Sequence, residues 1–207
     1  MLTGRERQAD VAGQLPRGDQ MRQAIVDGAI EFYARNGARR TNLTDIAMQV
    51  GTSPPNILYH FGSKAGLITA MVEELEARRI VEMEPIAERG GVAMLRGLAA
   101  YARCTEESPN LAALALMCSV ENLGADEPAH QYFLKQGERD RTLLRKGLQA
   151  GIARGELRPD INLDATIEEI RAFMAGAWLV WLLDPGHASL TRLYDGYFAK
   201  LIRELSA

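Results

Sequence analysis

The chain has 207 residues, 47% of them hydrophobic and 25% charged, which excludes a disordered protein and supplies enough apolar material for a sizeable core. No apolar stretch is long enough to cross a bilayer, and the polar amino terminus lacks the apolar segment of a secretory signal, so a cytoplasmic protein is expected. The net charge of -3 divides unevenly: residues 1–64 carry 8 basic and 6 acidic side chains, and the remainder carries 16 and 21. A mildly basic head on an acidic body fits a polyanionic partner for the head alone.

In chain order, residues 1–17 are polar, contain Gly and Pro, and read as a flexible tail. From Asp19 the pattern turns helical, with Met21, Ile25, Ala29, Phe32 and Tyr33 on one stripe that Asn36-Gly37 ends. Thr41 to Val50 predicts a second, short helix, with Asn42 as N-cap and Asp45 in the first turn, where a negative charge suits the helix dipole. Ser53 caps a third helix with Pro54 at its first position, running to about Phe61. A long helix starts near Lys64. Pro85 and Gly90-Gly91 then punctuate the chain before Val92–Glu107, and further helices are expected over Asn110–Leu123, from Pro128 to about Arg154, over Asp164–Leu183 and over Ser189–Leu205. The fold class is all-α with about nine helices. Residues 18–64 read as an amino-terminal three-helix domain, and 65–207 as a carboxy-terminal helical domain.

The stretch Thr41–Lys64 carries the functional signal. Ile46, Ala47 and Val50 share one face of the second helix, and the small Ala47 lets the third helix cross closely. Gly51 stands where a sharp turn between crossed helices needs positive φ. Ile57 and Leu58 supply apolar contacts from the third helix. Short helix, glycine turn and short crossing helix make a helix-turn-helix; the bland alternative is an ordinary corner between two helices.

On these residues, Ile25–Leu67 resembles the DNA-binding domain of the tetracycline-repressor (TetR) family, matching it at Ile25, Ala29, Phe32, Gly37, Thr41, Ile46, Ala47, Gly51, Ser53, Phe61, Lys64 and Leu67. The resemblance implies a dimeric repressor of a near-palindromic operator, released when a small molecule enters the carboxy-terminal domain. Two departures stand out. The family has a small residue or Gly at the position of Pro55, and commonly a phosphate-contacting Tyr at the position of Leu58. Here the aromatic is one place later, so Tyr59 and His60 are expected to share the phosphate work while Leu58 packs inward.

Lys64 in the first turn of a helix opposes the macrodipole, and a bound anion reverses that balance, so Lys64 reads as a phosphate clamp; the alternative is a solvated lysine. Thr44, Thr41, Arg39 and Arg40 are further candidates for the backbone of double-stranded DNA. For base edges, the third helix offers Ser53, Pro54, Asn56 and Tyr59, since Asn suits adenine while Pro and a tyrosine ring can touch a thymine methyl. In the carboxy-terminal domain, Asn110–Leu123 is apolar nearly all round and is expected to be central and buried. Tyr101, Cys104, Met117, Phe133 and Trp178 are candidate walls for an apolar or aromatic effector. Glu121 is either its polar anchor or a residue of a salt bridge or exposed helix end. The stripes Ile167, Ile170, Met174, Ala177, Trp178, Trp181 and Leu190, Leu193, Tyr194, Tyr197, Leu201, Leu205 mark the last two helices, about 164–183 and 189–205. The resemblance makes these helices the homodimer interface; the alternative is burial within one chain. An enzyme is not expected: His60, His130 and His187 lack metal spacing, Cys104 and Cys118 form no metal pair, and no phosphate loop or nucleophile elbow is present. No cofactor is implied. A helical scaffold without a DNA role is the third reading, disfavoured by Lys64 and by the polar front of the third helix.

Overall fold

The computed structural model describes residues 17–36, 42–127 and 130–207 and places nine helices and no strand among them. Residues 1–16 of the expected tail, the Gly37 stop, and the phosphate candidates Arg39, Arg40 and Thr41 lie outside the described residues. The chain forms two units, one ending at Leu75 and the other running Glu76–Ala207.

In the first unit, α1 (Arg17–Asn36) buries Ile25, Val26, Ala29, Ile30 and Tyr33 along one stripe. Helix α2 (Leu43–Val50) begins as the sequence predicts: Asn42 Oδ1 accepts the Asp45 amide at 2.9 Å. Gly51 follows with φ 71°, a left-handed turn that costs glycine nothing. Helix α3 (Pro54–Phe61) is capped by Ser53 and contributes Ile57, which is fully buried with Ile46 and Ala47 of α2. Gly28 lets α1 approach the end of α2, since a Cβ there would stand 2.5 Å from Val50 Cγ2. The Arg22 guanidinium lies 5.1 Å from the centre of the Phe61 ring, a cation–π contact between α1 and the end of α3. Helix α4 (Lys64–Arg89) starts here and buries Leu67, Ala70, Met71 and Val72.

Pro85 does not end α4, which continues to Arg89. Proline removes the amide that the carbonyl of Val81 would accept. Val81 is 71% exposed, so solvent can supply the missing bond.

In the second unit, α9 (Leu190–Leu205) lies along α5 (Gly91–Glu106), while α7 (His130–Ala153) packs against α5 and α8 (Leu163–Leu183). Helix α6 (Pro109–Glu121) packs on α5 and α8. One core joins Met94, Leu95 and Leu98 of α5 with Leu148 of α7, Ile170 and Trp181 of α8, and Tyr194 and Phe198 of α9. Helices α5 and α7 meet at backbone distance: a Cβ on Gly151 would sit 2.5 Å from the Gly91 Cα. Phe173 and Tyr197 stack 3.8 Å apart and pin α8 to α9. The connector after α7 is tied to the carboxy terminus, where the Arg158 amide donates to the Leu205 carbonyl at 2.9 Å.

One expectation is corrected, and one open alternative is narrowed. Helix α6 is not buried all round: Ala112, Leu114 and Cys118 face the core, but Met117, Val120 and the following Leu123 are exposed. Neighbours cover one side of it, and an all-apolar helix gives no periodic signal of which side. The stripes named on α8 and α9 are internal core, as Ile167, Ile170, Ala177, Trp181, Tyr194 and Leu201 show. The face of α8 left outside carries Ala172, Ala175, Gly176, Leu179, Val180 and Leu183.

Candidate nucleic-acid interface

Helix α3 is held from behind and open in front. Ile57 anchors it, while Ser53, Pro55, Leu58 and Tyr59 are exposed, Tyr59 by 84% and Leu58 by 42%. Leu58 therefore does not pack inward. Ile57 alone of this pair points at α1 and α2, and the one-residue step to Leu58 turns the side chain about 100° away. The Tyr59 ring meets His60 edge-on at 5.2 Å, and His60 is partly covered.

Cap chemistry engages several of the expected base readers. Asn56 Nδ2 donates to Thr52 Oγ1 at 2.8 Å, and the Asn56 amide donates to the Ser53 hydroxyl and carbonyl at 3.4 and 3.0 Å. Pro54 is half-buried at the first helical position. Thr44 is exposed on the first turn of α2. At the start of α4, Ser63 Oγ accepts the Gly66 amide at 3.0 Å, and Lys64 is exposed beside it. Gly66 was not singled out from the sequence, yet a Cβ there would overlap the Phe61 carbonyl oxygen, so it sets the close turn from α3 to α4.

The effector candidates occupy different environments. Tyr101, Phe133 and Trp178 are half-buried, whereas Cys104, Met117 and Glu121 are exposed. Tyr101 and Trp178 pack against the core near Tyr194. Burial, with Glu82 adding to it, pushes the Tyr101 phenol up to about 12, so at neutral pH it is an uncharged hydroxyl. A separate cleft of about 540 Å³ opens between α4 and α7, lined by Ile80, Met83, Leu143 and the charged Arg79, Glu138 and Asp140. None of the six expected effector residues lines it. Beside it runs a partly buried polar network, centred on the buried Glu76, that sequence spacing does not reveal. Glu76 is 6% exposed, accepts two 2.6 Å bonds from Arg79 and one of 2.8 Å from Gln136, while Arg79 also donates to Asp140 at 2.7 Å. No group of acidic, His or Cys side chains suited to a metal ion occurs among the described residues. No helix among them is long and apolar enough to cross a membrane.

A capped three-helix unit presenting one short helix to solvent has the architecture of a helix-turn-helix. Residues 25–71 match the family model described as bacterial regulatory proteins, tetR family. The chain is 22% identical over 193 residues to the HTH-type transcriptional regulator SrpR of Pseudomonas putida, covering 90% of this chain and 87% of SrpR. A TetR transcription regulator from Haloarcula marismortui superposes with a TM-score of 0.76 at 17% identity, covering 91% of this chain and all of that one. SmeT, the repressor of the Stenotrophomonas maltophilia multidrug efflux pump SmeDEF, superposes at 0.69 and 16% identity over 95% and 93% of the two chains. SmeT is also known in complex with triclosan. These matches support a TetR-family regulator of transcription, all-α and with an amino-terminal helix-turn-helix, in line with the resemblance read from the sequence.

Proposed function

We propose that the chain is a ligand-responsive repressor that binds a near-palindromic operator as a homodimer and is released by a small apolar or aromatic effector. The observation that carries this reading is the exposed front of α3, backed by the Ile46–Ala47–Ile57 core, within the segment that matches the family model. In this reading residues 18–64 bind double-stranded DNA and 65–207 bind the effector and the second subunit. The candidates for base contact are Ser53, Pro54, Asn56 and Tyr59, of which Ser53 and Tyr59 are exposed. Lys64, Thr44, the Tyr59 hydroxyl and His60 serve phosphates, together with Arg40 and Thr41, which lie outside the described residues. The test is fluorescence anisotropy with the duplex upstream of the protein's own reading frame. Affinity should fall steeply with salt, by roughly one decade of Kd per decade of salt for each phosphate contacted. Absence of salt-dependent binding to any duplex rejects the reading.

Dimerisation is assigned to the last two helices, through the outward face of α8. Gly176 has open space above it, and Leu179, Val180 and Leu183 are exposed beside it. A single short helix covers few base pairs, whereas two half-sites one helical turn apart multiply affinity. Val180→Glu should convert a dimer into a monomer in sedimentation and abolish operator binding; a wild-type monomer at micromolar concentration removes this part. For the effector, the candidates are Tyr101, Cys104, Met117, Glu121, Phe133 and Trp178. The half-buried Tyr101 and Trp178 are the best supported, and the relation of SmeT to triclosan makes an apolar aromatic compound the first to try. Both tryptophans, Trp178 and Trp181, lie in α8, so ligand entry there should shift intrinsic fluorescence, and Trp178→Phe should remove most of the shift.

A further inference from the structure

We propose that α3 selects its half-site through the 5-methyl groups of thymine, with Pro55 and Leu58 as the specificity-determining residues. The inference rests on the DNA-binding reading above and names what that site reads. Bidentate recognition of guanine or adenine in the major groove needs Arg, Lys, Asn or Gln. Helix α3 reads PPNILYHF and contains no Arg, Lys or Gln. Its single amide side chain, Asn56, is half-buried and donates to Thr52 at 2.8 Å. What the helix turns to solvent is Pro55, Leu58 and the Tyr59 ring, spaced three and four residues apart and therefore on one face.

The start of the helix points the same way. A helix amino terminus ordinarily offers free amides to a phosphate. Here Pro54 and Pro55 have no N–H, and the amides of Asn56 and Ile57 both donate to Ser53, at 3.0 and 3.1 Å to its carbonyl. The first four helical positions of α3 therefore offer no free amide to an anion. This end is an apolar, rigid tip, and thymine alone places an apolar group on the floor of the major groove. Phosphate contact then falls to the Tyr59 hydroxyl and to the start of α4, and sequence choice to the methyl-facing pair.

The experiment uses the full chain and a pool of random duplexes. The duplex enriched by binding is resynthesised with uracil in place of thymine, one position at a time, which removes only the methyl group. The expected result is a roughly fourfold weaker Kd at each methyl that α3 covers, the worth of one buried carbon, with the salt dependence unchanged. Leu58→Ala, at a position 42% exposed and outside the core, should make the thymine and uracil duplexes bind alike at one of those positions, and Pro55→Ala at another. An enriched duplex that binds equally well with uracil throughout both half-sites overturns the proposal while leaving DNA binding intact. So does discrimination that survives both substitutions. If no duplex is enriched, the DNA-binding reading itself fails, and this inference with it.

Discussion

The two units are held together at different ranges along the chain. The amino-terminal unit has bonds such as Asn42 to Asp45, Ser53 to Asn56 and Ser63 to Gly66, each three residues apart. In the unit Glu76–Ala207, side chains reach much further: Gln136 to Glu76 spans 60 residues, the Val92 amide to Glu156 spans 64, and the Leu190 amide to Glu106 spans 84. Short-range caps orient the two short helices α2 and α3, which suits a module whose front must stay open. Long-range ties register long helices against one another, which suits a unit built from helices that are apolar on more than one side.

The largest effect expected from this difference is at Glu76. Glu76→Ala takes from Arg79 one of its two carboxylate partners and from Gln136 its acceptor, and should cost about 3 kcal/mol in urea unfolding of the carboxy-terminal unit. A loss below about 1 kcal/mol, the value typical of a surface pair, would show that the network does not tie α4 to α7. Next comes Ile57→Ala, which empties the centre of the amino-terminal unit. It should cost about 3 kcal/mol and abolish DNA binding through loss of the domain, read by denaturation alongside anisotropy.

A smaller effect, with a pH signature, belongs to Glu106. Its carboxylate accepts the Leu190 and Thr191 amides and the Thr191 hydroxyl, and so caps α9 from the end of α5. Burial alone would raise its pKa, but the bonds from Thr191, Ser189 and Leu190 outweigh that and hold it below the ordinary carboxylate value. A depressed folded pKa gives stability that is present above the unfolded value and lost as the pH falls through the folded one. Glu106→Gln should therefore cost about 1–2 kcal/mol at pH 7, as lost caps do, and the gap to wild type should close as melts are taken into the acid range. A constant gap would assign the loss to packing instead. The smallest effect is local. Asn42→Ala should cost about 1 kcal/mol, and Asn42→Ser should restore most of it, because a hydroxyl oxygen can accept the Asp45 amide without facing the Asp45 carboxylate with a second charge.

These differences in range explain what was readable beforehand. The caps at Asn42 and Ser53, the turn at Gly51 and the burial of Ile57 follow from residue types at fixed short offsets, and each is found where the pattern puts it. Leu58 is not placed by the pattern, because an apolar side chain on a short helix fits either an inward or an outward face, and Ile57 alone fills the inward one. Gly66 and Glu76 went unnoticed. Gly66 matters through the Phe61 carbonyl across a turn, and Glu76 through Gln136 on another helix, neither of which spacing along one helix can reveal.

By itself, then, the sequence determined the all-α class, the caps at Asn42 and Ser53 and the identity of the short crossing helices. Those features depend on backbone conformations and hydrogen bonds closed within a turn, and local residue chemistry decides them. Only the tertiary structure decided which faces of α6 and α8 are covered, how Glu106 and Glu76 join distant helices, and that the front of α3 is apolar once Asn56 is engaged by Thr52. The physical reason is that a helix apolar on several sides lowers its free energy equally well by burying any of them, and the neighbours that arrive from elsewhere in the chain make the choice.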